Sequence, residues 1–251
     1  MPGQIYAFAN QKGGVGKTTS AVNLAACLAE VGERALVIDL DPQANATSGL
    51  GSRANGHSSY DLLDGAPLSE LTSPTHWPNL YVVPSRSELA GAVVELARRD
   101  DGERYLAQSL KGVRDEFAFV FIDCPPSLGP LTVNALAAAD RVLVPVQAEY
   151  YALEGLSQLL RSVELVRGRL NPHLAIAGVL LTMVDGRTRL SAEVEAEVRR
   201  HLGNLVFRTT IPRSVRLAEA PSHGVPAVLY DRRSPGATAY WKVAMELVER
   251  A

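Results

Sequence analysis

Residues 12–19 read KGGVGKTT, between an apolar run at residues 5–9 and a long apolar helical pattern at residues 18–31. A loop that holds phosphate needs glycines, because they let successive backbone N–H groups converge on the anion. The helix that follows adds the partial positive charge of its N-terminus. The stretch therefore predicts a phosphate-binding loop between a strand and a helix. The backbone of this loop is supplied by Gly13, Gly14, Val15 and Gly16.

The side chains that close the loop have separate predicted roles. Lys17 is expected to reach the β and γ phosphates of a nucleotide, the Thr18 hydroxyl to bind Mg²⁺, and the Thr19 hydroxyl to contact the α phosphate. The standard pattern G-x-x-x-x-G-K-[ST] requires glycine at position 11, where this chain has Gln11 followed by a second lysine, Lys12. The alternative is a glycine-rich turn that binds nothing, and the flanking strand and helix patterns argue against it.

Apolar runs and helical patterns alternate along the rest of the chain. The runs are typical of buried strands and lie at residues 5–9, 35–40, 80–83, 117–122, 142–146 and 176–183. Helical patterns lie at residues 18–31, 88–99, 130–139, 152–169, 191–202 and 237–250. The alternation predicts an α/β fold, a mostly parallel twisted sheet flanked by helices on both faces, with its ligand site at the carboxyl ends of the strands. Residues 49–78 are expected to form a loop region with one short helix near residues 60–63.

Composition and charge limit the class of protein. The 251 residues are 47% apolar and 21% charged, with a net charge of −2, which is typical of a globular protein and gives no global attraction to nucleic acid or membrane. Cys27 and Cys124 show no metal-type spacing and suit a reducing cytoplasm. The first ten residues run directly into the glycine loop, which leaves no room for a signal peptide. We expect a single domain over residues 1–251, without an N-terminal helix-turn-helix domain.

Three aspartates follow predicted strands. Asp123 ends the apolar run at residues 117–122, the Walker B arrangement, in which a carboxylate holds a Mg²⁺-bound water at the end of a strand. Asp39 and Asp41 lie two residues apart at the end of the second strand, so in an extended chain their side chains face the same side. The alternatives are a capping role for Asp123 and a turn role for Asp41 before Pro42.

Several separate blocks of sequence carry a family resemblance. KGGVGKTT is the deviant Walker A motif, and with DLDPQANATSGLG at residues 39–51 it resembles the ParA/Soj family of chromosome and plasmid partition ATPases. The likeness continues through FVFIDCPPSLGPLTVNAL, PVQAEYYALEGL, LLTMVDGRT and IPRSVRLAEAPSHGVP. It covers nearly the whole chain and implies the P-loop NTPase fold of deviant Walker A type.

The resemblance implies a Mg²⁺-dependent ATP hydrolase with weak intrinsic activity that a partner stimulates. Asp41 is expected to orient the attacking water and Asp39 to support the magnesium shell, so that Thr18, Asp39 and Asp123 form the metal site. Lys12 is expected to act on the nucleotide of a partner subunit, in an ATP-bound sandwich dimer, as a nucleotide-binding and catalytic residue. The alternative for Lys12 is a solvated loop lysine.

The same resemblance indicates which residues contact the adenine base and which bind DNA. Pro212 is expected to line the adenine, with Met183 as a weaker candidate, although Pro212 could merely shape a turn. Between residues 182 and 242 ten arginines and lysines stand against six carboxylates, an excess of +4 that a local phosphate-binding face would produce. A solvated basic face is the alternative. The side chains expected to bind double-stranded DNA without sequence preference are Arg187, Arg189, Arg213 and Arg216.

The resemblance implies a DNA-partition ATPase that is cytoplasmic and nucleoid-associated. ATP would drive homodimerisation, the dimer would bind DNA, and a ParB-type centromere-binding protein would stimulate hydrolysis and release. A membrane-cycling division-site regulator like MinD is the alternative; it needs a C-terminal amphipathic helix with a basic face. Residues 237–251 include Glu246 and Glu249 and resemble a packing helix, so no stable membrane association is expected. An iron–sulfur ATPase would need cluster-ligating cysteines, and an amide ligase or dethiobiotin synthetase a second pocket; neither signature is visible.

Overall fold

A computed structural model describes residues 3–149 and 152–250 of the protein. In this part of the chain one seven-stranded sheet has the order β3-β4-β2-β5-β1-β6-β7. Neighbouring strands are parallel, except that β3 is antiparallel to β4. The strands are Gln4–Phe8 (β1), Ala35–Asp39 (β2), Ser73–Pro74 (β3), Leu80–Val83 (β4), Phe119–Asp123 (β5), Arg141–Gln147 (β6) and Ala175–Thr182 (β7).

Helices connect the strands and cover both faces of the sheet. The longer ones are Lys17–Glu30 (α1), Leu89–Leu96 (α5), Pro130–Ala138 (α8), Ala152–Arg169 (α9), Arg189–Leu202 (α10) and Pro235–Glu249 (α13). The shorter ones are Asn45–Gly49 (α2), Ser59–Leu63 (α3), Leu68–Leu71 (α4), Tyr105–Ser109 (α6), Val113–Glu116 (α7), Val215–Glu219 (α11) and Ala227–Tyr230 (α12). Two 3₁₀ turns lie at Gly203–Leu205 and Ala220–His223.

The two faces of the sheet bury separate apolar clusters. Successive side chains of a strand point to opposite faces, and β1 shows this directly: Tyr6 and Phe8 pack on the side of α1 and α13, whereas Ile5 and Ala7 pack on the side of α5, α8 and α9. Every residue of β2 and β5 is buried. Strands covered on both faces read as continuous apolar runs, which is why the sequence predicts them, and the predicted fold class is confirmed.

The long elements agree with the sequence-based prediction within about three residues, and the one short helix expected near residues 60–63 is α3, whereas the other short elements were missed. Residues 49–78, expected to be a loop region with one short helix, also contain β3, α4 and the end of α2. Elements of two to five residues are too short to show a hydrophobic period, and local contacts stabilise them instead. The helix α3, for example, begins with a capping box formed by Ser58 and Asp61.

The C-terminal helix α13 packs on the first helix. It buries Tyr240, Val243 and Leu247 in the same cluster as α1, and the Tyr240 and Ser20 hydroxyls are hydrogen-bonded at 3.0 Å. Among the described residues, no helix has the length and apolar character needed to cross a membrane. One face of α13 therefore belongs to the core, as expected for a packing helix.

Candidate nucleotide-binding site

The glycine loop lies between the carboxyl end of β1 and the first turn of α1. Gly14 and Gly16 have φ values of 73° and 87°, in the left-handed region that favours glycine, and Gly16 directly precedes the helix. A Cβ atom on Gly16 would lie 3.6 Å from the Thr182 side chain at the end of β7. The predicted strand–loop–helix arrangement is therefore present, and its N-terminal helix end is available to an anion.

Two side chains that sequence reasoning missed hold this loop, one at the start of the loop and one at the end of β7. The Thr182 hydroxyl donates a hydrogen bond to the Val15 carbonyl at 2.9 Å. The Asn10 carboxamide accepts one from the Lys12 N–H at 3.0 Å and donates one to the Pro145 carbonyl at 2.7 Å. Both side chains are buried. The only signals in the sequence were their positions, Asn10 at the start of the loop and Thr182 just before Met183.

Lys17 is buried beneath a cleft that lies over the glycine loop, with 6% of its surface exposed. Its ammonium donates a hydrogen bond to the Lys12 carbonyl at 3.2 Å. Burial lowers the pKa of Lys17, and the nearby charge of Asp123 opposes that shift. A buried ammonium gains from an anionic ligand, because each charged partner offsets the loss of water around it.

The Asp123 carboxylate is buried and would be stabilised by a bound cation. It is fully buried, and neither carboxylate oxygen has a hydrogen-bond partner among the described residues. Burial, followed by the charge of Asp39, raises the pKa of Asp123 well above its ordinary value; the nearby Thr18 hydroxyl and Lys17 ammonium offset this only in part. Asp39 lies directly opposite Asp123 in the β2–β5 pairing. Such orphaned oxygens beside a hydroxyl fit Mg²⁺, which prefers oxygen ligands.

The arrangement differs from an all-protein metal cage. Among the described residues, no group of three or more His, Cys, Asp or Glu side chains is placed to hold a metal ion. Magnesium in nucleotide sites is typically held by one or two protein oxygens together with phosphates and waters. The donors present here suit that kind of site.

The Asp39 carboxylate accepts hydrogen bonds from the segment that follows β2. Its Oδ1 accepts a hydrogen bond from the Asp41 N–H at 3.0 Å, and its Oδ2 accepts two from Thr47, from the N–H at 2.8 Å and from the hydroxyl at 2.7 Å. Burial raises the pKa of Asp39 to about 6, against the effect of these hydrogen bonds. The observed contacts of Asp39 thus hold the Asp41 loop in place, and its part in a magnesium shell stays a prediction.

Two connected clefts extend from the glycine loop. The first lies over the loop, and the second runs toward the segment before α11; they share Gly16, Thr19 and Met183. The second cleft is mainly apolar, and Pro212 and Ser214 line it. Met183 has a φ of 52°, an uncommon conformation for a residue with a side chain. The first cleft is lined by Gly13, Gly14, Gly16, Lys17, Thr18, Thr19, Asp41, Gln43, Asn45, Ser48, Pro126, Met183 and Pro221.

Lys12 does not line either cleft. Its side chain is half exposed, and its ammonium forms an ion pair with the Glu149 carboxylate at 2.6 Å, just beyond the end of β6. The structure therefore brings Lys17 and Asp41 to the first cleft of one chain and directs Lys12 away from it. Glu149 is a further residue that sequence reasoning missed.

The four arginines predicted to bind DNA are all exposed, but three of them already have carboxylate partners. Arg216 contacts a second carboxylate, Asp231, at 3.3 Å. Among the described residues Arg213 is the member of the four without an ion pair. The carboxylate partners of the other three are among the six already counted, so the excess of +4 is not concentrated on the four predicted arginines. The three pairs are Arg187–Asp185, Arg189–Glu193 and Arg216–Glu219, at 2.8, 2.7 and 2.8 Å.

A parallel α/β sheet, a glycine loop leading into a helix, and an unpaired carboxylate at the end of an adjacent strand define the class of P-loop NTPases. A family model described as an AAA domain matches residues 3–176. The chain belongs to the ParA/Soj family within this class, which confirms the resemblance noted in the sequence.

Named relatives and solved structures support this membership. The chain is 53% identical over 248 residues to the sporulation initiation inhibitor protein Soj of Bacillus subtilis, covering 98% of both chains. It is 54% identical over 245 residues to the chromosome-partitioning ATPase Soj of Thermus thermophilus, covering 97% of this chain and 95% of that one. The crystal structure of cobyrinic acid a,c-diamide synthase from Mycobacterium smegmatis, with bound ADP and magnesium, is similar with a TM-score of 0.85 and 36% identity, over 98% of this chain and 94% of that chain.

Proposed function

We propose that this protein is a chromosome-partition ATPase. In this proposal residues 1–251 form one Mg²⁺-dependent ATP-hydrolysing domain, whose ATP-bound homodimer binds double-stranded DNA without sequence preference. A ParB-type partner stimulates hydrolysis and releases the dimer, so the protein cycles on the nucleoid in the cytoplasm. The observation that carries the proposal is the buried, unpartnered carboxylate of Asp123 near Lys17 and Thr18, which close the glycine loop. The names of relatives about half identical to the chain support the partition role.

The nucleotide would lie along the two connected clefts. Backbone N–H groups of the loop and the N-terminus of α1 would hold the phosphates, with Lys17 on the β and γ phosphates and Thr19 on the α phosphate. The apolar second cleft would take the base between Met183 and Pro212. A triphosphate and an apolar-faced purine match the chemistry of the two clefts in that order.

Hydrolysis needs positive charge near the transferring phosphoryl group and an oriented water. Magnesium held by Thr18 and Asp123 would supply positive charge where negative charge develops. Asp41, 7% exposed and facing the phosphate cleft, would orient the water. Asp39 would keep Asp41 in position through the hydrogen bond from the Asp41 N–H.

Dimerisation would employ Lys12. Its ammonium is directed away from the cleft of its own chain, and in this proposal it stabilises phosphate charge in another subunit. An isolated chain then lacks one cation that hydrolysis requires, and its intrinsic activity would be weak. DNA would bind the ATP-bound dimer through Arg187, Arg189, Arg213 and Arg216, and its phosphates would compete with the carboxylates that now pair with three of them.

Two other functions are less well supported. A membrane-cycling regulator like MinD would require a free amphipathic C-terminal helix, whereas one face of α13 is buried against α1. A synthetase like the diamide synthase would require an acceptor pocket beside the phosphates. The further pocket lined by Thr18 and Thr19 is much smaller than either cleft. Binding to anionic liposomes, or ATP turnover that depends on a small carboxylic acid, would favour these functions.

The central experiment compares the wild type with Lys12→Ala. Nucleotide titration, light scattering and ATP turnover are measured, together with DNA binding in ATP, in ADP and without nucleotide, with and without a cognate ParB-type protein. We expect Lys12→Ala to keep nucleotide affinity while losing most ATP-dependent dimerisation and hydrolysis. Equal loss of all three in Lys12→Ala would overturn the role of Lys12, and wild-type DNA binding that is equal in ATP and ADP would overturn the proposed function.

A further inference from the structure

The ion pair between Lys12 and Glu149 has structural support on both sides. One Glu149 oxygen accepts from the Lys12 ammonium at 2.6 Å, and the other accepts from the Gln147 side-chain amide at 2.5 Å. The Glu149 N–H also donates to the Gln147 carbonyl at 2.8 Å. The carboxylate is therefore oriented toward the glycine loop by the end of β6.

The backbone of Lys12 is engaged as well. Its N–H donates to the Asn10 side chain at 3.0 Å, and its carbonyl accepts from the Lys17 ammonium at 3.2 Å. A bound phosphate would compete for the Lys17 ammonium, since charged acceptors form the stronger hydrogen bonds. Phosphate binding would then loosen one of the backbone contacts of Lys12, while Glu149 keeps its side chain.

We infer that Glu149 is a positioning residue for Lys12. It holds the ammonium at the end of β6 of its own subunit, and release of this pair is one step in making Lys12 available to a second copy of the chain. Glu149 therefore acts on dimerisation through Lys12, without touching the nucleotide of its own subunit. The inference depends on the proposed function, in which ATP drives dimerisation.

The Lys12–Glu149 ion pair is weak enough to be released when the protein dimerises. The Lys12 and Glu149 side chains are 51% and 46% exposed, so water and salt screen their attraction. Exposed pairs of this kind shift an equilibrium by no more than about fivefold. Meeting the phosphates of a partner's ATP is enough to replace such a contact, because polyphosphate offers more charge than one carboxylate. The pair thus raises the ATP concentration needed for dimerisation by a small factor and does not prevent dimerisation.

The test compares wild type and Glu149→Gln by sedimentation velocity over a series of ATP concentrations at low salt. We expect Glu149→Gln to reach half-maximal dimerisation at roughly two- to fivefold less ATP, with the same affinity of the monomer for ADP. The difference should shrink as salt is raised to about 0.5 M, which a purely structural role would not produce. Gln147→Ala, which loosens Glu149 without removing it, should shift the midpoint in the same direction by less.

A matched control separates this effect from the loss of any surface ion pair. Glu193→Gln removes the carboxylate that pairs with Arg189 at 2.7 Å, outside both clefts, and should leave the midpoint unchanged. Equal midpoints for wild type and Glu149→Gln at low salt would reject the inference alone, as would a need for more ATP in the variant. If neither protein dimerises with ATP, the proposed function and the inference are both rejected.

Discussion

The Lys17 ammonium donates a hydrogen bond to the backbone carbonyl of Lys12, 3.2 Å away, so the two lysines of the motif are joined inside one loop. Their side chains nevertheless lie in different surroundings. Lys17 is buried at the phosphate cleft, while Lys12 is half exposed and paired with Glu149. One lysine is therefore placed to bind a nucleotide within the chain, and the other is placed outside that cleft.

Replacing Lys17 tests the phosphate cleft directly. We expect Lys17→Ala to weaken both ATP and ADP binding by roughly 10- to 100-fold, because a buried ammonium that hydrogen-bonds phosphate is lost. Titration with a fluorescent nucleotide measures the effect. Lys111→Ala removes an exposed lysine outside the clefts and serves as the control. Unchanged affinity in Lys17→Ala would show that the cleft does not hold the phosphates.

Asp41 is predicted to act in hydrolysis and not in binding. Asp41→Asn should lower the turnover rate by about 100-fold or more, since a group that orients and activates water contributes on that scale. ATP affinity should be kept or increased, because one negative charge is removed from the phosphate cleft. Single-turnover hydrolysis and nucleotide titration separate the two effects, and Asp115→Asn, an exposed aspartate on α7, is the control. A parallel loss of binding would place Asp41 in the binding site instead.

Stability of the nucleotide-free protein should depend on pH through the buried aspartates. The pKa of Asp39 is raised to about 6 from an ordinary value of 3.8, and that of Asp123 is raised in the same direction. A carboxyl whose pKa is higher in the folded state contributes stability below its unfolded pKa and loses it as pH rises through the folded pKa. We therefore expect this contribution to fall as pH rises from about 4 through about 6.

Asp123→Asn isolates the unpaired carboxylate. The side chain has no hydrogen bond to lose, so we expect a higher melting temperature than wild type at pH 7.5 with EDTA, and a smaller difference at pH 4.5. Addition of ATP and Mg²⁺ should raise the melting temperature of the wild type much more than that of the variant. A lower melting temperature for Asp123→Asn in EDTA at pH 7.5 would contradict the assignment of Asp123 as an unmet buried charge.

Thr182 is expected to support the loop from β7. Thr182→Val keeps the side chain's shape but removes the hydrogen bond to the Val15 carbonyl. We expect about 1 kcal/mol lower stability and roughly threefold to tenfold weaker ATP binding. Urea unfolding and nucleotide titration measure these changes. Thr238→Val, on the exposed face of α13, should alter neither.

The arginines should differ in their contribution to DNA binding. Arg213 has no carboxylate partner among the described residues, whereas Arg187 makes two side-chain hydrogen bonds to Asp185. We expect Arg213→Ala to weaken DNA binding in ATP more than Arg187→Ala, and to reduce the slope of log affinity against log salt by about 1. Fluorescence anisotropy at several salt concentrations and saturating ATP tests this, since Arg213 also lines the second cleft. A larger effect for Arg187→Ala would show that DNA displaces its carboxylate partner at little cost.

The local pattern of the sequence was sufficient for the fold class and for the residues at the strand ends. The glycine loop, Lys17 and Asp123 are recognisable because each lies a fixed number of residues from a buried strand. The bounds of short elements were not predictable, since β3 and α4 span only two and four residues and depend on their packing partners.

The sequence alone determined that a glycine loop joins a strand to a helix in a parallel α/β sheet, because hydrophobic period and glycine spacing are local properties. Only the tertiary structure decided what surrounds that loop. Thr182 lies 167 residues from Val15, and Glu149 lies 137 residues from Lys12. Contacts over such separations depend on how the strands order in the sheet, which no local pattern encodes. The same reason explains why charge counting could not locate the basic face, since it does not show which arginines already pair with a carboxylate.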